Sequence, residues 1–126
     1  MKMMLMVALG GAIGSSARYL VGVLATRVFG IGFPWGTMIV NIVGSFAMGV
    51  LVASLAIRYS VSNEVRAFIA IGVLGGFTTF SSFALDVVYL YEKKQYFASA
   101  GYMSFSVICS ILALFSGLAL VRSLAV

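Results

Sequence analysis

Four apolar stretches fill nearly the whole chain, each close to the roughly 20 residues that an α-helix needs to cross a bilayer. They run from about Met3 to Leu24, Gly36 to Ile57, Val65 to Leu90 and Phe97 to Val121, and the connections between them are short. Of the 126 residues 63% are apolar and 9% charged, more apolar surface than a soluble domain of this length can bury. Lipid is the solvent such a composition demands. The expected fold class is an all-α membrane protein with four transmembrane helices per chain, forming one domain over residues 1–126.

The connections carry the punctuation of helix ends. "ATRVFGIGFPW" holds the only proline, Pro34, beside Trp35, an aromatic suited to the membrane interface. "RYSVSNE" offers Ser62 or Asn63 as an N-cap, with Glu64 in the first turn where the helix dipole favours an acid. "YEKKQY" is a charged turn framed by Tyr91 and Tyr96. A weak match to a leader cleavage site at Ser15–Ala17 is followed by further apolar sequence, so removal of the first span is not expected. The single cysteine, Cys109, lies in an apolar run and reads as a packed residue. Basic residues are scattered at segment ends rather than gathered in a stripe, which argues against nucleic-acid binding.

Orientation is balanced. Four alternating spans put Lys2, Arg58, Arg66 and Arg122 on one side and Arg27, Lys93 and Lys94 on the other, joined by Arg18 if it reaches that interface. Lysine and arginine counts normally orient a membrane protein, and here they decide nothing. Two outcomes stay open: insertion both ways up with antiparallel pairing, or one orientation imposed by insertion order.

Residue spacing then sorts the faces. On the second segment Thr37, Asn41, Ser45, Gly49 and Ala53 recur every four residues, a single helical face. Close helix packing accounts for the small members. Asn41 carries an amide that must find partners in hydrocarbon, either along a polar pathway or across to another helix. On the first segment Gly10, Gly14, Arg18 and Gly22 share a face; Gly10 and Gly14 form a GxxxG pair, and Arg18 either snorkels to the interface or lines a wet vestibule. Tyr102, Ser106 and Ser110 repeat at the same step on the fourth segment, a ladder of hydroxyls.

"GGFTTFSSF", Gly75 to Phe83, lies in the middle of the third segment. Its two glycines weaken helix propensity, and the hydroxyls of Thr78, Thr79, Ser81 and Ser82 compete for the backbone, so the helix is expected to break near its middle. Non-helical backbone at that depth survives only where protein, water or an ion satisfies it, and a hard cation held by freed carbonyls is one solution. Phe80 and Phe83 share a face and present ring edges of partial positive charge. Asp86 is the only acid within a span. Hydroxyls, an amide, ring edges and an arginine, without the acids of a cation or proton route, suit a narrow anion pathway.

"GGAIGSSARY", "GTMIVNIVGSF" and "GGFTTFSSF", in this order on three successive spans, resemble the bacterial fluoride channel family known as Fluc or CrcB. The resemblance covers essentially the whole chain and is most specific in the third motif. It implies passive export of toxic fluoride across the bacterial inner membrane by an antiparallel, dual-topology homodimer with two pores. On that pattern Phe80 and Phe83 match the family's pore phenylalanines and Asn41 its second-helix pore asparagine. Arg18 matches the vestibule arginine, and Tyr102, Ser106 and Ser110 match the polar track. Thr79 and Ser81 would lie beside the fluoride path. The carbonyls of Gly75 and Thr78 from each subunit would hold one structural Na+ on the dimer axis. Two departures are visible: Ser82 stands where threonine is common, and Asp86 where glutamate is frequent, which leaves the role of that carboxylate open. A small multidrug exporter would need a membrane-embedded acid that the first span lacks. A non-transporting membrane assembly would give Phe80 and Phe83 no special role. With no histidine and no carboxylate pair in a span, an enzyme is not expected.

Overall fold

The computed structural model describes residues 1–125, and they are helical almost throughout. Helix α1 runs Lys2–Phe29, α2 Trp35–Ile57, α3 Asn63–Arg66, α4 Gly75–Phe77, α5 Phe80–Glu92 and α6 Tyr96–Leu124, with a π-helical segment Ala67–Leu74 between α3 and α4. Four units are long and apolar enough to cross a membrane: α1, α2, the composite third span Asn63–Glu92 and α6. The chain is a multi-pass membrane protein by this measure.

Local chemistry explains the ends. Helix α1 continues five residues beyond the apolar limit at Leu24 and stops at Gly30, whose φ of 82° lies in the left-handed region that glycine tolerates. Hydropathy marks where apolar character fades, whereas a helix runs on until its backbone is turned. Phe29, Phe33 and Trp35 then close the first connection, with Trp35 centroids 5.2 Å from Phe29 and 4.8 Å from Phe33. Of the two candidate caps in the second connection, Ser62 acts: its Oγ accepts from Val65 N–H at 3.2 Å. In the third connection Lys94 adopts φ 62° and the Tyr91 and Tyr96 rings meet edge-on at 5.2 Å.

Glycine decides which helices touch. The Gly10, Gly14 face of α1 lies on the π segment, where a Cβ on Gly14 would strike the Val73 carbonyl and one on Gly10 the Phe68 carbonyl. The α2–α6 seam works the same way, Gly49 against the Leu114 carbonyl and Gly117 against that of Phe46. Gly14→Ala exchanges a gain of up to about 1 kcal/mol in helix propensity for overpacking worth about 1–3 kcal/mol or more. The obstacle is backbone that cannot swing aside, so the cost wins. Gly14→Ala is expected to lower the unfolding temperature in detergent, and Gly11→Ala, which meets nothing within 4 Å, is not. Equal melting of the two variants would remove this account of the α1 seam.

The buried cluster is small and off-centre. Met38, Phe83, Leu90 and Tyr102 form it, between α2, α5 and α6. Ser99 Oγ donates to the Val87 carbonyl at 2.9 Å and fixes α6 on α5 there. Most other large apolar side chains are exposed, as a lipid-facing surface requires.

Candidate functional site

The site begins where the helical ladder of the third span is interrupted. Thr78 (φ −87°, ψ 159°) and Thr79 (φ −154°, ψ 124°) are extended between α4 and α5. Thr78 stays tied to the end of the π segment, its N–H and Oγ1 both donating to the Leu74 carbonyl at 3.1 and 3.0 Å. Thr79 caps α5, its Oγ1 accepting from Ser82 N–H at 3.2 Å.

Asn41 holds the interruption from α2. Thr79 N–H donates to Asn41 Oδ1 at 2.7 Å, and Asn41 Nδ2 donates to the Thr79 carbonyl at 2.9 Å. For the Thr79 N–H the amide thus replaces, from another helix, the carbonyl that the ladder would have supplied. Gly44, one turn further along α2, makes the approach possible: a Cβ there would strike the Thr78 γ-methyl. Because Thr79 N–H turns to Asn41, the Gly75 carbonyl lacks the donor a continuous helix would give it. The next carbonyl, Gly76, accepts from Arg18 Nε at 3.0 Å. Arg18 therefore points into the protein at the level of the interruption rather than out along the helix.

A cavity of about 370 Å³ opens beside this backbone, walled by α2, α5 and α6. Asn41, Thr79, Phe80, Phe83, Ser106 and Ser110 all line it, together with Ser45, Thr78 and apolar neighbours. Phe80 and Phe83 lie 5.6 Å apart at 49°. Phe83 is buried, while Phe80 is 77% exposed at mid-span. Ser106 is 3% exposed, and its Oγ is the one buried side-chain polar atom without a partner among the described residues. A buried hydroxyl without a partner costs free energy, and this one belongs to a residue of the cavity wall.

The remaining candidates sit around this cavity rather than in it. Tyr102 packs beneath Phe83 at 5.3 Å and donates its hydroxyl to Asp86 Oδ2 at 3.1 Å. Ser81 is exposed, with its Oγ 3.4 Å from Thr79 Oγ1. Gly75 is exposed although it lies mid-span, and Arg18 is half-buried on the far side of α4. A second cavity of about 290 Å³ lies toward the first connection, lined among others by Thr37, Asp86 and Lys93. Asp86 is the residue that spacing alone undervalued. It follows Phe83 by three and precedes Leu90 by four on one face of α5, and that register could have flagged it.

Residues 5–118 match the family model described as "CrcB-like protein, Camphor Resistance (CrcB)". The chain belongs to the CrcB family. Curated relatives with the name "Fluoride-specific ion channel FluC" resemble it over nearly their full length. The protein of Agrobacterium fabrum is 57% identical over 94% of this chain and 95% of its own. That of Chelativorans sp. is 54% identical over 96% and 97%, and that of Rhodospirillum centenum 52% identical over 98% of each. For a CrcB protein the polar inventory is apt: the cavity wall carries hydroxyls, an amide and ring edges, and no acidic side chain.

Proposed function

We propose that this chain is a fluoride-selective ion channel that lets toxic fluoride leave the cell passively. The observation that carries this is the extended identity with relatives of that name, and the groove has chemistry that suits it. A bare anion in hydrocarbon costs tens of kcal/mol, and hydrogen bonds to charge return about 1.5–3 kcal/mol each. Several donors must therefore act in turn. Ser106, Ser110 and Thr79 supply hydroxyls, and the edges of Phe80 and Phe83 supply partial positive charge. A small anion that accepts strong hydrogen bonds gains most from such a lining. A larger, more weakly bonding one gains less for the same steric cost, which is the proposed basis of selectivity over chloride.

The whole chain acts as one channel domain, and the working unit is an antiparallel, dual-topology homodimer with a pore along each subunit. In favour of pairing, Phe80, Gly75 and Ser81 are exposed on one chain at membrane depth beside a groove that is open on one side. Backbone and hydroxyls of this kind need a protein neighbour rather than lipid. The balanced basic residues favour insertion in both senses. The interruption at Thr78–Thr79 is then the family's functional break, held open by Asn41 on one side and by Arg18 on the other. Arg18, bonded through Nε only, keeps its terminal amino groups for the anion-attracting vestibule.

A structural Na+ fits the same backbone. The Gly75 carbonyl has lost its helical donor, and the Thr78 carbonyl sits in extended chain; both are the hard oxygen donors that such an ion takes. Gly75 and Thr78 of each subunit would hold it on the dimer axis, where its charge would offset the freed carbonyls. Asp86, in the wall of the cavity toward the first connection, accepts from the Tyr102 hydroxyl, and the Tyr102 ring lies under Phe83 of the central cavity. The bacterial inner membrane is the compartment.

The test is efflux from liposomes holding the purified protein, with fluoride and chloride electrodes side by side, and a mass measurement on the same particle. Fluoride release with negligible chloride release from a two-chain particle is expected. Release of neither ion would overturn the channel, and a conducting single chain would overturn the pairing.

A further inference from the structure

Cavities on this chain follow one another along a single face of α2. The first takes Thr37, the second Asn41, Ser45 and Met48, and a third of about 320 Å³ takes Val52 and Leu55. These residues recur every three to four positions, one stripe from end to end of the helix. The third span lines the same cavities in reverse order, Asp86 in the first, Thr78 and Phe80 in the second, Ala70 and Arg66 in the third. Building on the proposed channel, we infer that Arg66 is the anion-attracting residue of the mouth at the α2–α3 end.

The need for such a residue follows from what the lining loses. The hydroxyl ladder on α6 ends at Ser110, and the next residue at its step is Leu114, which also lines the central cavity. From there to the mouth the third cavity is lined by Leu51, Val52, Leu55, Ala56 and Ala70, with Arg66 the only polar side chain. An anion in that stretch meets no side-chain donor, so a charge at its end, acting through low-dielectric walls, is what raises its local concentration. The other side-chain cations of that end, Lys2, Arg58 and Arg122, are absent from the cavity lining. Arg58 donates through Nη2 to the Leu124 carbonyl at 2.6 Å, and Arg122 lies in the last turn of α6 outside the cavity.

The experiment compares fluoride efflux by wild type, Arg66→Gln, Arg66→Lys and Arg122→Gln at low and high ionic strength. At about 10 mM salt, where the screening length is about 30 Å, Arg66→Gln is expected to slow efflux about three- to tenfold. Near 1 M, where it is about 3 Å, the same variant returns to the wild-type rate, which also shows that it is folded. Arg66→Lys retains the wild-type salt dependence, and Arg122→Gln does not slow efflux. An unchanged rate for Arg66→Gln at low salt, or equal slowing by Arg122→Gln, would overturn the assignment while leaving a conducting channel. Absence of efflux from wild type itself would instead overturn the channel reading.

Discussion

Phe83→Ile is expected to stop fluoride efflux, by about ten- to a hundredfold, in a protein that still folds and pairs. Isoleucine keeps apolar bulk where Phe83 is buried against Tyr102, so the packing cost stays moderate, about 1–3 kcal/mol. What vanishes is the ring edge with its partial positive charge. An edge contact to a bare anion, if comparable to a hydrogen bond to charge, contributes about 1.5–3 kcal/mol, and each 1.4 kcal/mol is a tenfold change in rate. Phe80→Ile separates the two effects more cleanly. Phe80 is 77% exposed in the single chain and has little packing to lose within it, so its flux falls while the helices of each chain, read by circular dichroism, stay intact. Wild-type flux in both variants, measured by electrode, would remove the phenylalanines from the pore.

Asn41→Asp attacks the site through the backbone. Its first oxygen still accepts from Thr79 N–H, but its second replaces the Nδ2 donor that faces the Thr79 carbonyl at 2.9 Å. Two acceptors then oppose each other, and a negative charge stands in the wall of a proposed anion path. Conduction is expected to be lost outright. Asn41→Ala removes the charge from the comparison and leaves Thr79 N–H without its acceptor, at about 1–3 kcal/mol, while the Thr79 carbonyl keeps the first bond of α5. A lower melting temperature for Asn41→Ala with some flux remaining, against no flux for Asn41→Asp, would separate the clamp from the electrostatic effect. Unchanged flux in Asn41→Asp would return Asn41 to a purely structural role.

Asn41 also marks how far spacing can be read. Its place on a polar face of α2 was legible, and so was its need for partners in hydrocarbon. The choice between a pathway and a bond to another helix was left open by the residues alone; the structure shows the bond, the amide gripping Thr79 from α2, and places the same side chain in the wall of the central cavity. Arg18 followed a similar course. Its step from Gly10 and Gly14 put it on the packed face of α1, but its acceptor is a carbonyl 58 residues away, which no local pattern encodes. Ser106 belonged to a visible ladder, yet only burial by neighbouring helices makes its hydroxyl the unpartnered one. The π segment was invisible, because hydropathy is the same whether a carbonyl bonds four or five residues ahead.

By itself the sequence determined the solvent, the number of spans, a cap at Ser62 or Asn63, and the small-residue faces. Those follow from hydrocarbon transfer, capping chemistry and the 3.6-residue period, all of which act within a few residues. Tertiary structure alone decided which faces meet, where Asn41 and Arg18 find acceptors, and that three cavities align along α2. These depend on facing glycines that bring backbones so close that an added Cβ would strike the neighbouring carbonyl, a condition set between helices and not along any one of them.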